Sequence, residues 1–168
     1  LLVAFPAVMA FAAASDLVSM TISNWLSLLL IVMFDLCAVL LGLSWSQVGW
    51  HLGAGGLVLV ICFGFFAAGW IGGGHAKLAA ATALWFGFDH LMIYLAYAAV
   101  AGGVLTLAIL QFRKWPLPAP LLSQDWAKRL HDRDAGVPYG IALAFGALVI
   151  YPETAWMKAI DLSRFAAG

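Results

Sequence analysis

Long apolar stretches alternate with short polar ones along the chain, and the few charged residues mark the boundaries between them. A helix needs about 20 mostly apolar residues to cross a bilayer. The pattern predicts spans at residues 1–14, 25–43, 52–71, 91–112 and 139–152, and a shorter apolar stretch at 78–88 that would cross only in part. The predicted fold is an all-α polytopic membrane bundle of about six transmembrane helices, formed by one domain over residues 1–168.

The segments between the predicted spans are short, with one exception. Residues 44–51 contain two tryptophans and are typical of an interfacial loop, and the charged pair at 89–90 predicts a break in the apolar run. The long hydrophilic segment, residues 113–138, has prolines at positions 116, 118 and 120 and is therefore expected to start irregularly. Within it, residues 123–133 predict a short amphipathic helix.

The first apolar stretch allows two interpretations. Residues 1–14, followed by Ser15, have the apolar core and small-residue end of a signal peptide. However, no basic region precedes the stretch, and a second long apolar run follows after one polar segment. We therefore expect a first spanning helix that lacks some N-terminal residues.

Composition excludes several classes of protein. Of the 168 residues, 65% are hydrophobic and 10% are charged, whereas soluble domains average about 45–50% apolar and about 25% charged residues. A soluble core of this size cannot hide so much apolar surface. The 8 basic and 8 acidic residues leave no net charge, so no basic face is available for nucleic acid. The lipid bilayer is the expected surrounding.

The distribution of basic residues predicts how the chain is oriented. If residues 78–88 cross the membrane, most basic residues lie on one face: Lys77, Arg113, Lys114, Lys128, Arg129 and Arg133. The other face holds Lys158 and Arg164. Because cytoplasmic loops carry the excess of Lys and Arg, the first face is expected in the cytoplasm. Asp16, at the end of the first span, then shares that face with the turn at residues 72–77.

Asp16 is the first candidate for chemistry. It follows Ser15 at a span boundary, where an acidic residue also serves as an ordinary helix cap or a solvated loop residue. A catalytic role would need a partner. Two close carboxylates can share one proton, so that one acts as base on a water molecule while the other protonates or polarises the scissile carbonyl.

A glycine-rich turn is the second candidate. It consists of Gly72, Gly73 and Gly74. Three glycines turn tightly and let another chain approach closely, although such a run is also typical of a plain flexible turn. His75 and Lys77 follow at once, and an alanine-rich helix begins after them. This combination is more informative than any of its parts.

These motifs resemble those of the prepilin peptidases, also called type IV leader peptidases. The resemblance rests on Ser15-Asp16, residues 21–24, residues 72–81, and the late segment 136–142. The order of spans is also similar, so the resemblance covers most of the chain. The family consists of polytopic aspartyl proteases of the Gly-x-Gly-Asp type. This chain is similar to the short form found in tight-adherence (Flp) pilus systems.

The resemblance implies roles for individual residues. Asp16 would be the first catalytic aspartate, and position 75 should hold the second, but this sequence has His75 there. The three glycines and Lys77 would form the supporting turn, with Asn24 as a further candidate. No cofactor is expected, and no metal either, since Asp16 and His75 are too few ligands to hold one.

The histidine at position 75 changes the expected chemistry. Histidine can act as a general acid or base, but it cannot form a pair of carboxylates that shares one proton. A protonated His75 would instead favour the ionised form of Asp16 by opposite charge. We therefore expect peptidase activity to be strongly reduced or absent.

Three functions remain open from the sequence. The resemblance implies an aspartic endopeptidase of the bacterial inner membrane that cuts the leader of a pilin precursor at the cytoplasmic face. A non-catalytic homologue that only binds prepilin is the first alternative. A small transporter that uses Asp35 for proton coupling is the second. Asp35 lies three helical turns beyond Asn24, about 16 Å along a helix, which is too deep to pair with Asp16. The oligomeric state and the particular pilin cannot be read from the residues.

Overall fold

The computed structural model describes residues 3–158. Within that range the chain forms seven α-helices and two short 3-10 helices, and it contains no strand. The α-helices are α1 (Ala4–Ser19), α2 (Asn24–Leu40), α3 (Trp45–Ala67), α4 (Gly73–Phe112), α5 (Asp125–His131), α6 (Gly140–Ile150) and α7 (Ala155–Lys158). The all-α prediction is confirmed for the described residues. Arg164, which belongs to the second predicted face, lies outside them.

Two of the described helices, α3 and α4, are long and apolar enough to cross a bilayer. The apolar helices α1, α2, and α6 with its 3-10 extension have between 10 and 17 residues each. At 1.5 Å per residue they reach at most about 26 Å, short of the roughly 30 Å of a hydrocarbon core. The predicted count of six crossings therefore stays a prediction.

Helix α3 begins earlier than the sequence pattern suggested. The Ser44 hydroxyl accepts a bond from the Gln47 N–H at 3.3 Å, and the Gln47 side chain accepts from the Ser44 N–H at 2.8 Å. This reciprocal capping box starts a helix at Trp45. The predicted loop at residues 44–51 was wrong, because these residues form the N-cap and first turns of α3.

Helix α4 joins two segments that were predicted to be separate. Asp89 and His90 are helical, so the predicted break at residues 89–90 was wrong. The irregularity lies at Gly87 instead, where φ is 58° and ψ is −173°. This backbone conformation is essentially restricted to glycine, which explains why the helix kinks there and not at the charged pair.

Side chains from two other helices complete this kink. In a straight helix, the carbonyls of Leu84 and Trp85 would accept from the N–H four residues ahead. Here His51 Nδ1 donates to the Leu84 carbonyl at 2.8 Å, and Trp156 Nε1 donates to the Trp85 carbonyl. A Cβ added at Gly87 would lie 3.1 Å from the His51 ring. We call these five residues the α4 joint.

The first half of α4 is the centre of the bundle. Residues 78–87 are all buried, and α3, α6 and α2 pack against α4, while α1 packs mainly against α6. Aromatic rings fill the interior around the kink, with Phe5 and Trp85 ring centres 4.9 Å apart. This packing brings the end of α1, the beginning of α4 and the beginning of α6 to one place.

The hydrophilic segment is fastened to the rest of the chain by arginines. Its helix, α5, lies inside the predicted range 123–133. The buried Arg113, just after α4, donates to the carbonyls of Leu130, Ala135 and Gly136 at 2.8, 3.0 and 2.9 Å. Arg129 of α5 donates to the Val18 carbonyl near the end of α1 at 2.6 Å. The segment is therefore held against the ends of both helices.

Candidate active site

Asp16 lies in the last turn of α1, and its side chain is fully buried. It is neither a solvated loop residue nor an N-terminal helix cap of its own helix. Burying a carboxylate costs free energy unless hydrogen bonds or an opposite charge compensate it. The surroundings of Asp16 must therefore supply donors.

Two donors meet on the same oxygen, Asp16 Oδ2. His75 Nε2 lies 2.8 Å from it, and the backbone N–H of Gly140 donates to it at 2.7 Å. Gly140 is the first residue of α6, where the N–H has no acceptor inside the helix. The helix dipole also favours a negative charge at this end. Both contacts offset part of the cost of burying this carboxylate.

The other carboxylate oxygen, Asp16 Oδ1, is buried and accepts no hydrogen bond from any described residue. Buried polar atoms in proteins nearly always have a partner, so each exception needs a physical reason. Here the carboxylate keeps one strong acceptor free, beside a ring that can donate or accept a proton.

The glycine turn brings His75 to Asp16. Gly72 is the N-cap of α4, and His75 is the third residue of the helix, with 18% of its side chain exposed. A Cβ added at Gly74 would lie 3.0 Å from the carbonyl oxygen of Ile22, in the segment between α1 and α2. The turn therefore packs directly onto another stretch of backbone, which requires glycine at this position.

A second contact joins the same two regions at the surface. Lys77 Nζ donates to the Asn24 side-chain oxygen at 2.9 Å, and both residues are exposed. Asp16 and Asn24 belong to the early segments that carry the resemblance, within residues 15–24, and His75 and Lys77 belong to the segment 72–81. The structure thus brings together four of the residues singled out in the sequence.

Asp35 is not part of this arrangement. Helix α2 is continuous from Asn24 to Leu40, and the Asp35 side chain is exposed on it. Away from Asp16, a cavity of about 410 Å³ lies at the α4 joint, and Gln47, His51 and Asp89 are among the residues that line it. In residues 3–158, no three His, Cys, Asp or Glu side chains come together as a metal site requires.

The contact between the Gly140 N–H and Asp16 was not predicted from the sequence. Gly140 belongs to the late segment that carries the resemblance, but nothing local links it to a carboxylate 124 positions earlier. The available signal was the glycine itself, at the start of an apolar helix. A Cβ at Gly140 would lie 2.8 Å from Asp16 Oδ2 and 2.9 Å from the Ile22 side chain. Only glycine fits without a shift of these neighbours.

One comparison with known proteins gives a match. The family model of the type IV leader peptidase family matches residues 3–107. The matched range contains Asp16, the glycine turn and His75, and it ends before Gly140. The chain matches no curated protein and no solved structure.

Proposed function

The chain belongs to the type IV leader peptidase family, and from that premise we propose a membrane-embedded aspartic endopeptidase that is impaired by His75. Its substrate is the leader of a pilin precursor, cut at the cytoplasmic face of a bacterial inner membrane. A pilin of a tight-adherence pilus is the substrate class that we expect. The excess of basic residues on one predicted face supports this orientation.

The observation that carries the proposal is the contact between Asp16 and position 75. These residues lie 59 positions apart, and the Asp16 Oδ2 to His75 Nε2 distance is 2.8 Å. A fold that serves only to bind would not need to bury a carboxylate opposite a second ionisable group. Such a pair is what general acid–base cleavage of a peptide requires.

Asp16 takes the role of general base. Its free oxygen, Oδ1, accepts a hydrogen bond from the attacking water and receives a proton as the water adds to the scissile carbonyl. The Gly140 N–H and the residue at position 75 hold the other oxygen, Oδ2, and so orient the carboxylate. The group at position 75 supplies the proton that the leaving amine needs.

His75 performs this second role poorly. An aspartate there would hold its proton between two like charges, which keeps one acid neutral and able to donate. When His75 is protonated, it pairs with Asp16 as an ion pair, and this attraction disfavours passing the proton on. The imidazole is also longer than a carboxylate, so it reaches Asp16 directly. We propose that an aspartate would stop short and leave room for a water molecule.

The test is cleavage of a purified pilin precursor by the full chain reconstituted in liposomes, followed by N-terminal sequencing of the product. We expect the chain with His75 to be slow or inactive, and His75→Asp to raise the rate by about 10²-fold or more. The Asp16→Asn change in the His75→Asp background is the matched control. It removes the base and should return the rate to background.

Other outcomes separate the alternatives. Equal rates for His75 and His75→Asp would contradict the impairment, and they would leave the peptidase assignment standing. Binding of the precursor without cleavage by either form would favour the non-catalytic homologue. Neither binding nor cleavage would reject the proposed function as a whole.

A further inference from the structure

Three basic side chains line one small cavity at the end of α4. Arg113 and Lys114 directly follow the helix, and Arg133 comes from beyond α5. Together with Leu110 they line an open cavity of about 200 Å³. No acidic residue lines it. In a chain with 8 Lys and Arg in total, this is a marked concentration of positive charge.

The charge in this cavity is not neutralised by the described part of the protein. No described carboxylate lies within ion-pair distance of the three basic residues. Arg113 is only 7% exposed, and its hydrogen-bond partners among the described residues are neutral backbone carbonyls. Asp132 and Asp134 flank Arg133 in sequence, but Asp132 Oδ1 accepts from the Asp134 N–H instead. A buried guanidinium without a counter-charge favours an anion from outside the chain.

An apolar stripe on α4 begins at the same cavity. Its residues are spaced three or four positions apart and therefore lie on one face of the helix: Val100, Val104, Leu107 and Leu110. They are between 49% and 69% exposed, and Leu110 also lines the cavity. The stripe extends about 15 Å along the helix. An occupant that fits both features has an anionic head and a long apolar tail.

We propose that the cavity binds the phosphodiester headgroup of an anionic phospholipid, with an acyl chain lying along the α4 stripe. Arginine and lysine are the usual ligands of phosphate oxygens, and basic pockets beside membrane helices favour anionic headgroups. A free phosphate ion would explain the charge but would leave the stripe unused. The inference goes beyond the proposed function and needs only that the chain resides in a membrane.

The site also has a structural connection to Asp16. The Arg113 guanidinium that faces the lipid headgroup also holds the carbonyls of Ala135 and Gly136. These residues precede Gly140, whose N–H donates to Asp16 Oδ2. A bound headgroup would compensate the buried charge of Arg113 and so stabilise the segment that leads to α6.

The test measures lipid binding to the detergent-solubilised full chain by native mass spectrometry. The probes are dioleoylphosphatidylglycerol, dioleoylphosphatidylcholine and inorganic phosphate. We expect the anionic lipid to bind at least about tenfold more tightly than the zwitterionic one. Lys114→Gln and Arg133→Gln should each weaken its binding about fivefold, which corresponds to about 1 kcal/mol per basic residue. Arg113 is left unchanged, because it also fastens the hydrophilic segment.

The matched control is Lys128→Gln. Lys128 is exposed on α5, pairs with Asp125 at 3.6 Å and does not line the cavity. The Lys128→Gln change removes the same charge as Lys114→Gln and should leave lipid binding unchanged. A loss equal to that of Lys114→Gln would overturn the site, and equal affinity for the two lipids would do so as well. Displacement of the anionic lipid by millimolar inorganic phosphate would also overturn the proposal, because the cavity would then bind a free anion. None of these readouts depends on prepilin cleavage.

Discussion

His51 and His75 each place a ring nitrogen 2.8 Å from an oxygen on another helix. The two contacts differ in whether the polar atoms beside them also have hydrogen-bond partners. At the α4 joint the partner is the carbonyl of Leu84, which can only accept, so His51 Nδ1 must carry the proton. The neighbouring carbonyl of Trp85 has its own donor from Trp156. Both of these carbonyls therefore have a side-chain donor.

The contact of His75 is incomplete by comparison. Asp16 Oδ2 has two donors, whereas Oδ1 is buried without any partner among residues 3–158. A carboxylate can also change its protonation state, which a carbonyl cannot. Equal distances thus accompany unequal surroundings: the acceptor at the joint is a neutral carbonyl, whereas the acceptor of His75 is a carboxylate whose second oxygen has no partner among the described residues. This difference can be tested from both sides.

The largest effect is expected at Gly140. Gly140→Ala places a methyl group 2.8 Å from Asp16 Oδ2, so the carboxylate or the start of α6 must move. A displacement of about 1 Å in a catalytic group can lower the rate about 10²-fold. In the His75→Asp background we expect a loss of this order in prepilin cleavage. Gly136→Ala is the control, because nothing lies within 4 Å of its added Cβ. A variant as active as this control would show that the Gly140 contact does not orient Asp16.

Gly87→Ala should give the next largest effect, and it should appear in stability. The change forces a side chain into a backbone conformation reserved for glycine and against the His51 ring, 3.1 Å away. We expect the free energy of unfolding in detergent to fall by about 2 kcal/mol. Gly103→Ala on the same helix has open space and no positive φ. It should be neutral or slightly stabilising, and similar losses for both would reject the joint as a special position.

His51→Phe is expected to have the smallest effect. Phenylalanine fills the space of the ring but leaves the Leu84 carbonyl without its donor, which should cost about 1–2 kcal/mol. His131→Phe is the matched control, since His131 makes the same kind of bond to the Trp115 carbonyl at 2.8 Å, in an exposed position where water can replace it. In the His75→Asp background, cleavage per folded molecule should not change. A selective loss of cleavage would show that the joint takes part in the chemistry.

Part of this architecture could be predicted from sequence, because it depends on local pattern. The apolar runs predicted α2 and α6 with small errors at their ends, whereas α1 continues five residues past its predicted end and so includes Asp16. The basic, tryptophan-containing stretch predicted α5. The start of α3 was also readable, because Ser44 and Gln47 have the spacing of a capping box. The loop prediction rested on the two tryptophans alone and did not use this spacing. The juxtaposition of Asp16 with the glycine turn was expected from the predicted orientation.

The remainder depends on contacts between distant residues. The charged pair at 89–90 was interpreted as the boundary between two apolar segments, whereas the helix continues through it and the irregularity lies at Gly87, in a backbone conformation that essentially only glycine adopts. Neither the donors that complete the joint nor the Gly140 contact leave a periodic trace in the chain. They follow from how α3, α6 and α7 pack onto α4 and α1, which hydrophobic pattern alone does not specify.

The bond from Gly140 to Asp16 also sets an order of assembly. A ribosome makes the chain from α1 onward, so Asp16 and the glycine turn are synthesised well before the start of α6 exists. During that interval the carboxylate lacks one of its two donors, and its orientation is not yet fixed. The surroundings of Asp16 are therefore complete only after synthesis has passed residue 140.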